Sequence, residues 1–304
     1  MSSSAKSLEV GSSRCCISQL PLPEQGESLD AARRACRPPP CGFAAAFSPE
    51  YNVGLEAWGE TMSSRLPWNE FQLLTFDCYG TLVDWEAGIL AVLQPWASTN
   101  QVAARADELL AAFAAAESAV QRERPQAPYQ DILRESMARI AARWGKTAGE
   151  VEREALARSV GDWPVFADTV EALRALKTWH KLMVVSNVDT ESFTRTAAKL
   201  GVTLDGLVSA EEVGAYKPDR RMFDRALALA SDWGVPGHQI LHVAQSLYHD
   251  IEPAKKLGLR TVWVDRRAGR AGGATPKASG EVAPDLRVMS LGELVEVERA
   301  ERHA

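Results

Sequence analysis

The sequence predicts an α/β protein, a doubly wound parallel sheet with a helical cap inserted after the first strand. Three observations predict it. Short, nearly continuous apolar runs recur at residues 71–76, 182–185, 207–208, 240–244 and 261–264, as expected of strands covered on both faces. Amphipathic helical patterns over residues 170–179, 190–200 and 221–230 separate the later runs, and that alternation implies parallel pairing through helical crossovers. Between the first two runs, about 95 residues break the alternation and read as helix throughout.

Residues 1–65 are rich in Ser, Pro and Gly and include Arg37-Pro38-Pro39-Pro40. They carry no sustained helical or strand period, so a disordered extension is expected. No basic start followed by an apolar core marks a secretory signal, and Glu9, Glu24, Glu27 and Asp30 oppose a mitochondrial presequence. Met62 is an alternative start. Order begins with the run at 71–76, which stops abruptly at Asp77-Cys78-Tyr79-Gly80-Thr81, a strand followed by a turn. Residues 70–86 and 165–296 form the expected core, and 87–164 the helical cap. Within the cap, Ile132, Leu133, Met137, Ile140, Ala141 and Trp144 recur at helical spacing, and Gly145 follows as a stop. Ser290-Leu291-Gly292-Glu293 reads as a capping box opening a last helix. The cap is expected over the carboxyl edge of the sheet, where open α/β folds bind ligands.

Composition narrows the function. With 304 residues, 46% hydrophobic, 24% charged and a net charge of −6, the chain has apolar surface for a full core and no basic excess. Nucleic acid and anionic membranes are therefore poor partners, and a small molecule is favoured. The longest apolar stretches, at 42–47 and 109–116, fall far short of the roughly 20 residues that span a bilayer. Four of the five cysteines lie in the first 41 residues and Cys78 stands alone. This is no disulfide framework, and a reducing, cytoplasmic setting fits. A homodimer stays open.

Chemistry-bearing residues fall at successive strand ends. Asp77 and Thr81 follow the first strand, Ser186 and Asn187 the second, Lys217 the third and Asp250 the fourth. Taken singly each has a structural reading: a turn former, a helix cap, a solvated Lys-Pro-Asp turn, a helix-surface acid. In a parallel sheet they converge on one edge. A dry, oriented Asp77 carboxylate can attack an electrophile with a good leaving group, giving an ester that water cleaves at the Asp carbonyl. Lys217 would offset the carboxylate charge, Thr81 and Ser186 would hold oxygens, and Asp250 would orient water or anchor Lys217.

Asp77-x-Tyr79-Gly80-Thr81-Leu82, Ser186-Asn187, Tyr216-Lys217-Pro218-Asp219 and the run from His242 to Asp250 resemble, in order and spacing, the four motifs of the haloacid dehalogenase-like (HAD) hydrolase superfamily. The resemblance spans about residues 70–295 and is closest to the type II (S)-2-haloacid dehalogenases, which carry Tyr at the position of Tyr79. It implies a Rossmann-like core, Asp77 as nucleophile, Lys217 as its charge partner and Asp250 as the acid near the hydrolytic water. Tyr79, Thr81, Ser186 and Asn187 would be the substrate-side donors, with no metal and no cofactor required.

The sequence also departs from that pattern. A gapless count from Tyr129 puts Leu110 where those dehalogenases place a halide-receiving arginine, with Arg105, Arg122 and Arg124 nearby. Gln245 and Leu247 replace a Ser and an Asn, and Phe223 a Tyr. A Mg²⁺-dependent small-molecule phosphatase is the alternative. Against it, Tyr79 replaces the general acid of such enzymes and Gln245 a metal-binding carboxylate. Tyrosine, with a pKa of about 10, is a poor proton donor and an amide a weak Mg²⁺ ligand. A non-catalytic binding protein of the same fold is a third reading. Trp163 reads as packing and Cys78 as facing away from the site. Trp85 and His249 stay open between pocket and surface.

Overall fold

The computed structural model describes residues 66–268, 280 and 282–302, so the extension expected over 1–65 lies outside the described residues. Each of the five expected strands forms: β1 (Leu73–Phe76), β2 (Lys181–Ser186), β3 (Gly206–Ser209), β4 (Ile240–Ala244) and β5 (Arg260–Val264). β1 and β4 are buried along their whole length, which is why their sequences are continuous apolar runs rather than alternating ones. The first run starts later as a strand than its hydrophobicity suggests. Gln72 nevertheless joins the ladder on both sides, donating to Gln239 O at 3.0 Å and accepting from Lys181 N at 2.9 Å.

A sixth strand, β6 (Leu286–Val288), was not expected. Three residues are too few to show a period, and this strand exists because Asp285 pins it to β5. The Asp285 carboxylate accepts from Thr261 N at 2.8 Å and Thr261 Oγ1 at 3.1 Å, and pairs with Arg260.

All pairings are parallel, in the order β3-β2-β1-β4-β5-β6. From β1 the chain builds outward through β2 and β3, then returns to place β4 on the other side of β1. The carboxyl ends of β1 and β4 therefore flank the topological switch point, where flanking connections diverge and leave a crevice.

Four helices are inserted between β1 and β2: α1 (Trp85–Thr99), α2 (Ala106–Glu123), α3 (Tyr129–Arg143) and α4 (Glu150–Ser159), followed by a 3₁₀ turn at Val160–Asp162. α3 is the helix predicted from the 132–144 pattern, and Gly145 ends it at φ +66°. Asp84 caps α1 by accepting from Ala87 N. Gly88 on α1 lets Trp163 pack against the helix backbone: a Cβ there would lie 2.1 Å from Trp163 Cγ. Trp163 thus serves packing, as expected, with its ring edge-on to Tyr79 at 5.6 Å.

The sheet is flanked by α5 (Thr169–Lys177), α6 (Thr190–Ala197), the single turn α7 (Ala210–Val213), α8 (Arg220–Asp232), α9 (Glu252–Lys256) and α10 (Leu291–Arg302). The box at α10 is displaced by one residue. Ser290 Oγ accepts from Glu293 N, but the Glu293 carboxylate reaches back to Met289 N. Among the described residues no helix is long and apolar enough to cross a membrane.

Candidate active site

β1 delivers Asp77 at its carboxyl end, where Asp77 N still donates to Val243 O of β4. The chain then turns sharply: Leu82 N and Val83 N both donate to Cys78 O, and Gly80 N to Val83 O. Gly80 takes φ +99°, and a Cβ there would sit 3.2 Å from Gln245 Oε1 and 3.3 Å from Trp85 Nε1, so glycine serves both the conformation and the close approach. The turn brings Thr81 Oγ1 back to Asp77, donating to Oδ2 at 2.7 Å while accepting from Gln245 N. Thr81 is fully buried and orients Asp77 rather than lining the cavity.

Lys217 approaches from the loop after α7. Asn187 holds that loop by its main chain, its Oδ1 accepting from Lys217 N at 2.6 Å and its Nδ2 donating to Lys217 O at 3.2 Å. Both ends of the Asn187 amide are thus engaged by Lys217. The ammonium donates to Asp77 Oδ1 at 2.8 Å, Asp250 Oδ1 at 2.7 Å and Val185 O at 2.8 Å, which uses all three of its protons.

Asp250 sits in a π-helical turn, Leu247–Ile251. Ser246 opens it, its Oγ accepting from His249 N and its carbonyl from Asp250 N and Ile251 N. Such turns concentrate at functional sites because the extra residue redirects side chains. Here it faces Asp250 inward, 1% exposed. Behind it, His242 of β4 links Thr75 Oγ1 at 2.9 Å to Asp250 Oδ1 at 3.2 Å, a support that inspection of the sequence had not assigned.

Burial pushes the Asp77 carboxyl above the usual aspartate range; Lys217 opposes that rise and Asp250 adds to it. Burial acts the same way on Asp250, but Lys217 and His242 outweigh it and leave this carboxyl below its usual range. Burial alone would strip the Lys217 proton, yet Asp250 and Asp77 hold the ammonium above the ordinary lysine value. The cluster is therefore two carboxylates sharing one cation. Cys78 is buried, and burial raises its thiol well above the usual value, which makes it inert.

Asp77, Lys217 and Asp250 open into a cavity that is partly open to solvent. Tyr79, Ser186 and Asn187 line it, as do Trp85 and His249. Ser186 Oγ has no hydrogen-bond partner among the described residues, whereas Tyr79 OH is bonded to Thr196 Oγ1 at 3.0 Å. Burial raises Tyr79 well above the usual phenol value, so it is a weaker acid still. His249 is lowered to about 4 by burial and is neutral at pH 7.

The helical insertion closes the far side with Glu117 and Gln121 of α2 and Tyr129 of α3. Reading the sequence for motifs missed Glu117, although it left a signal. Leu110, Phe113, Glu117 and Val120 form one buried stripe of α2, in which Glu117 is the lone acid. Leu110 is buried, Arg105 is paired with Glu108 at the surface, and Arg122 lines a neighbouring recess with Arg221. Lys217 is the one cation among the described residues lining the cavity that holds Asp77.

Magnesium, which a phosphatase would use, meets a poor donor set in this cavity. Asp77 and Asp250 already share the Lys217 ammonium, Gln245 offers an amide in place of a carboxylate, and among the described residues no three His, Cys, Asp or Glu side chains converge. A hard divalent cation prefers more anionic oxygen than this, so the residues fit it poorly.

A parallel α/β core, a helical insertion at its switch point and an Asp-Lys-Asp cluster at the carboxyl edge of the sheet define a hydrolase of a particular kind. Residues 71–258, more than half of the chain, match the family model for haloacid dehalogenase-like hydrolases, and the chain belongs to that family. It is 31% identical over 107 residues to an (S)-2-haloacid dehalogenase of Pseudomonas putida, a match covering 34% of this chain and 45% of that protein. A phosphoserine phosphatase of Thermus thermophilus is 40% identical over 83 residues, covering 27% and 29%. The chain thus spans less than half the length of these relatives. In fold it resembles L-2-haloacid dehalogenase from Xanthobacter autotrophicus, with a TM-score of 0.63 and 19% identity over 76% of this chain and 99% of that one. The HAD-hydrolase YfnB from Bacillus subtilis, in a magnesium-bound form, resembles it with a TM-score of 0.61 and 16% identity, covering 75% and 99%.

Proposed function

We propose that this hydrolase works through an ester on Asp77, in the manner of a type II 2-haloacid dehalogenase, on a small 2-haloacid or a related small acid and without a metal. The observation that carries the reading is the Lys217 ammonium, 2.8 Å from Asp77 and 2.7 Å from Asp250. This built-in cation offsets part of the charge of the carboxylate pair within the protein.

In the first step an Asp77 oxygen attacks the substrate carbon, the carbon–halogen bond breaks, and halide leaves with the bonding pair. Thr81 and Lys217 hold Asp77 for attack, and Ser186 and Tyr79 face the substrate. In the second step Asp250 takes a proton from water, which attacks the Asp77 ester carbonyl. The acyl C–O bond then breaks, Asp250 returns its proton to the departing oxygen, and the hydroxy acid leaves with one oxygen of Asp77, which the water oxygen replaces; Asp77 then loses its proton to solvent. Asn187 acts indirectly by fixing the Lys217 loop, and the four-helix insertion serves as the cap.

Local similarity to a phosphoserine phosphatase supports a second reading, a Mg²⁺-dependent phosphatase. A phosphoryl group brings about two negative charges to an anionic nucleophile and so depends on a cation, whereas a haloacid offers a neutral carbon. A panel of 2-haloacids and small phosphate esters, scored for halide and phosphate with EDTA or Mg²⁺, separates the two. Halide release in EDTA, with ¹⁸O from water entering Asp77, is expected. Phosphate release that requires Mg²⁺ would replace this reading with the other.

A further inference from the structure

Glu117 projects from α2 into the same cavity as Asp77 and is 7% exposed. Its Oε1 accepts from Tyr129 OH at 3.1 Å and from Gln121 Nε2 at 3.0 Å. Its Oε2 has no hydrogen-bond partner among the described residues. An acid at this place in an apolar stripe is not explained by packing, since Leu110, Phe113 and Val120 on the same face are all apolar. Nor does it bond to the Asp-Lys-Asp cluster, in which the Lys217 ammonium already donates to Asp77, Asp250 and Val185 O.

The charge around the cavity adds to this. Asp77, Asp250 and Glu117 line it, and Lys217, the one lining cation among the described residues, is shared by the first two. No uncommitted lining cation faces an anionic group placed against α2. What the wall does offer is a carboxyl oxygen ready to accept a hydrogen bond, steadied by two donors on its twin.

We propose that Glu117 is a specificity-determining residue that selects small acids bearing a hydroxyl or ammonium group on the side facing α2, this group donating to Oε2. The proposal rests on the reading of the cavity as the substrate site. It assigns to the α2 wall recognition of a hydrogen-bond donor, so an unsubstituted haloalkanoate would fill the cavity without satisfying it. Leaving Oε2 unpaired once a bound molecule has displaced water from it is what discriminates, because a site built to hydrogen-bond rejects the analogue that lacks the group. Burial raises Glu117 to about 7, so near neutral pH its ionisation is sensitive to what the substrate presents.

The test uses three nearly isosteric product analogues that differ at one position, methyl, hydroxyl or ammonium: 2-hydroxybutanoate, 2,3-dihydroxypropanoate and 3-amino-2-hydroxypropanoate. Their binding to the full chain is measured by calorimetry at pH 8. The hydroxyl and ammonium probes are expected to bind about tenfold or more tighter than the methyl probe, the scale of a charge-assisted hydrogen bond. Glu117→Leu brings all three within about twofold of one another, while Glu117→Gln, which keeps the shape, retains the hydroxyl preference and loses the ammonium one. Equal binding of the three probes by the parent, an unchanged preference in Glu117→Leu, or no binding of any probe overturns the proposal. Incorporation of ¹⁸O into Asp77 tests the ester chemistry separately, so failure of one leaves the other standing.

Discussion

Replacing Glu117 by Gln should stabilise the protein at alkaline pH and leave its stability unchanged in mild acid. Burial is the dominant influence on this carboxyl, and the hydrogen bonds from Tyr129 and Gln121 offset it only in part, leaving it at about 7 against an ordinary 4.5. A carboxyl whose folded value is raised binds its proton more tightly when folded. Below about pH 4.5 both folded and unfolded chains are protonated, and the group costs nothing. As pH climbs to about 7 the unfolded chain ionises first, and stability is lost across that window. At about 1.4 kcal/mol per pH unit the loss amounts to roughly 3 kcal/mol above pH 7. Glutamine keeps an oxygen for Tyr129 and Gln121 and never ionises. The variant should therefore match the parent at about pH 4.5 and exceed it by about 3 kcal/mol at about pH 8, read from urea midpoints with an unchanged slope. A difference that is the same at both pH values, or a variant less stable at pH 8, would refute the burial argument. A matched loss of the ammonium preference would show why the protein keeps a destabilising acid.

Asp77→Asn should leave the melting temperature near that of the parent and abolish hydrolysis, because the amide is isosteric but not a nucleophile; turnover that persists after deamidation is excluded would remove Asp77 from that role. Lys217→Met leaves two buried carboxylates facing each other, and a destabilisation of about 3–5 kcal/mol at pH 8 is expected, reduced as the pH falls, because Asp77, raised by burial and by Asp250, is the first of the two to protonate. For the same reason activity should fall on the acid side at a pH above the usual aspartate value of 3.8, as a kcat/KM profile would show. Gly88→Ala places a Cβ 2.1 Å from Trp163 Cγ and should cost about 1–3 kcal/mol through overpacking, seen as a lower urea midpoint.

Much of this molecule was legible because its signals are local. Each strand of β1 to β5 is a short apolar run, and a strand buried on both faces needs nothing but apolar residues, so hydrophobicity alone locates it. Asp77, Ser186, Lys217 and Asp250 fall at successive strand ends, and parallel pairing sends those ends to one edge whatever the details of packing. Local sequence does not decide pairings made between distant segments. β6 is three residues long and stands only because Asp285 ties it to Thr261. His242 looks like any strand residue until the β1–β4 register sets it beside Thr75 and the π-helical turn swings Asp250 onto it. Glu117 is one acid in an alanine-rich helix, and its meaning depends on how the insertion lies over the sheet, which puts it across the cavity from an aspartate 40 positions earlier in the chain. The sequence by itself determined the core and the places of Asp77 and Lys217 at its strand ends, because strand periodicity and strand-end chemistry are written in neighbouring residues. The tertiary structure alone decided which groups line the cavity together, because the distance between a helix of the insertion and the edge of the sheet is set by the packing of the whole chain.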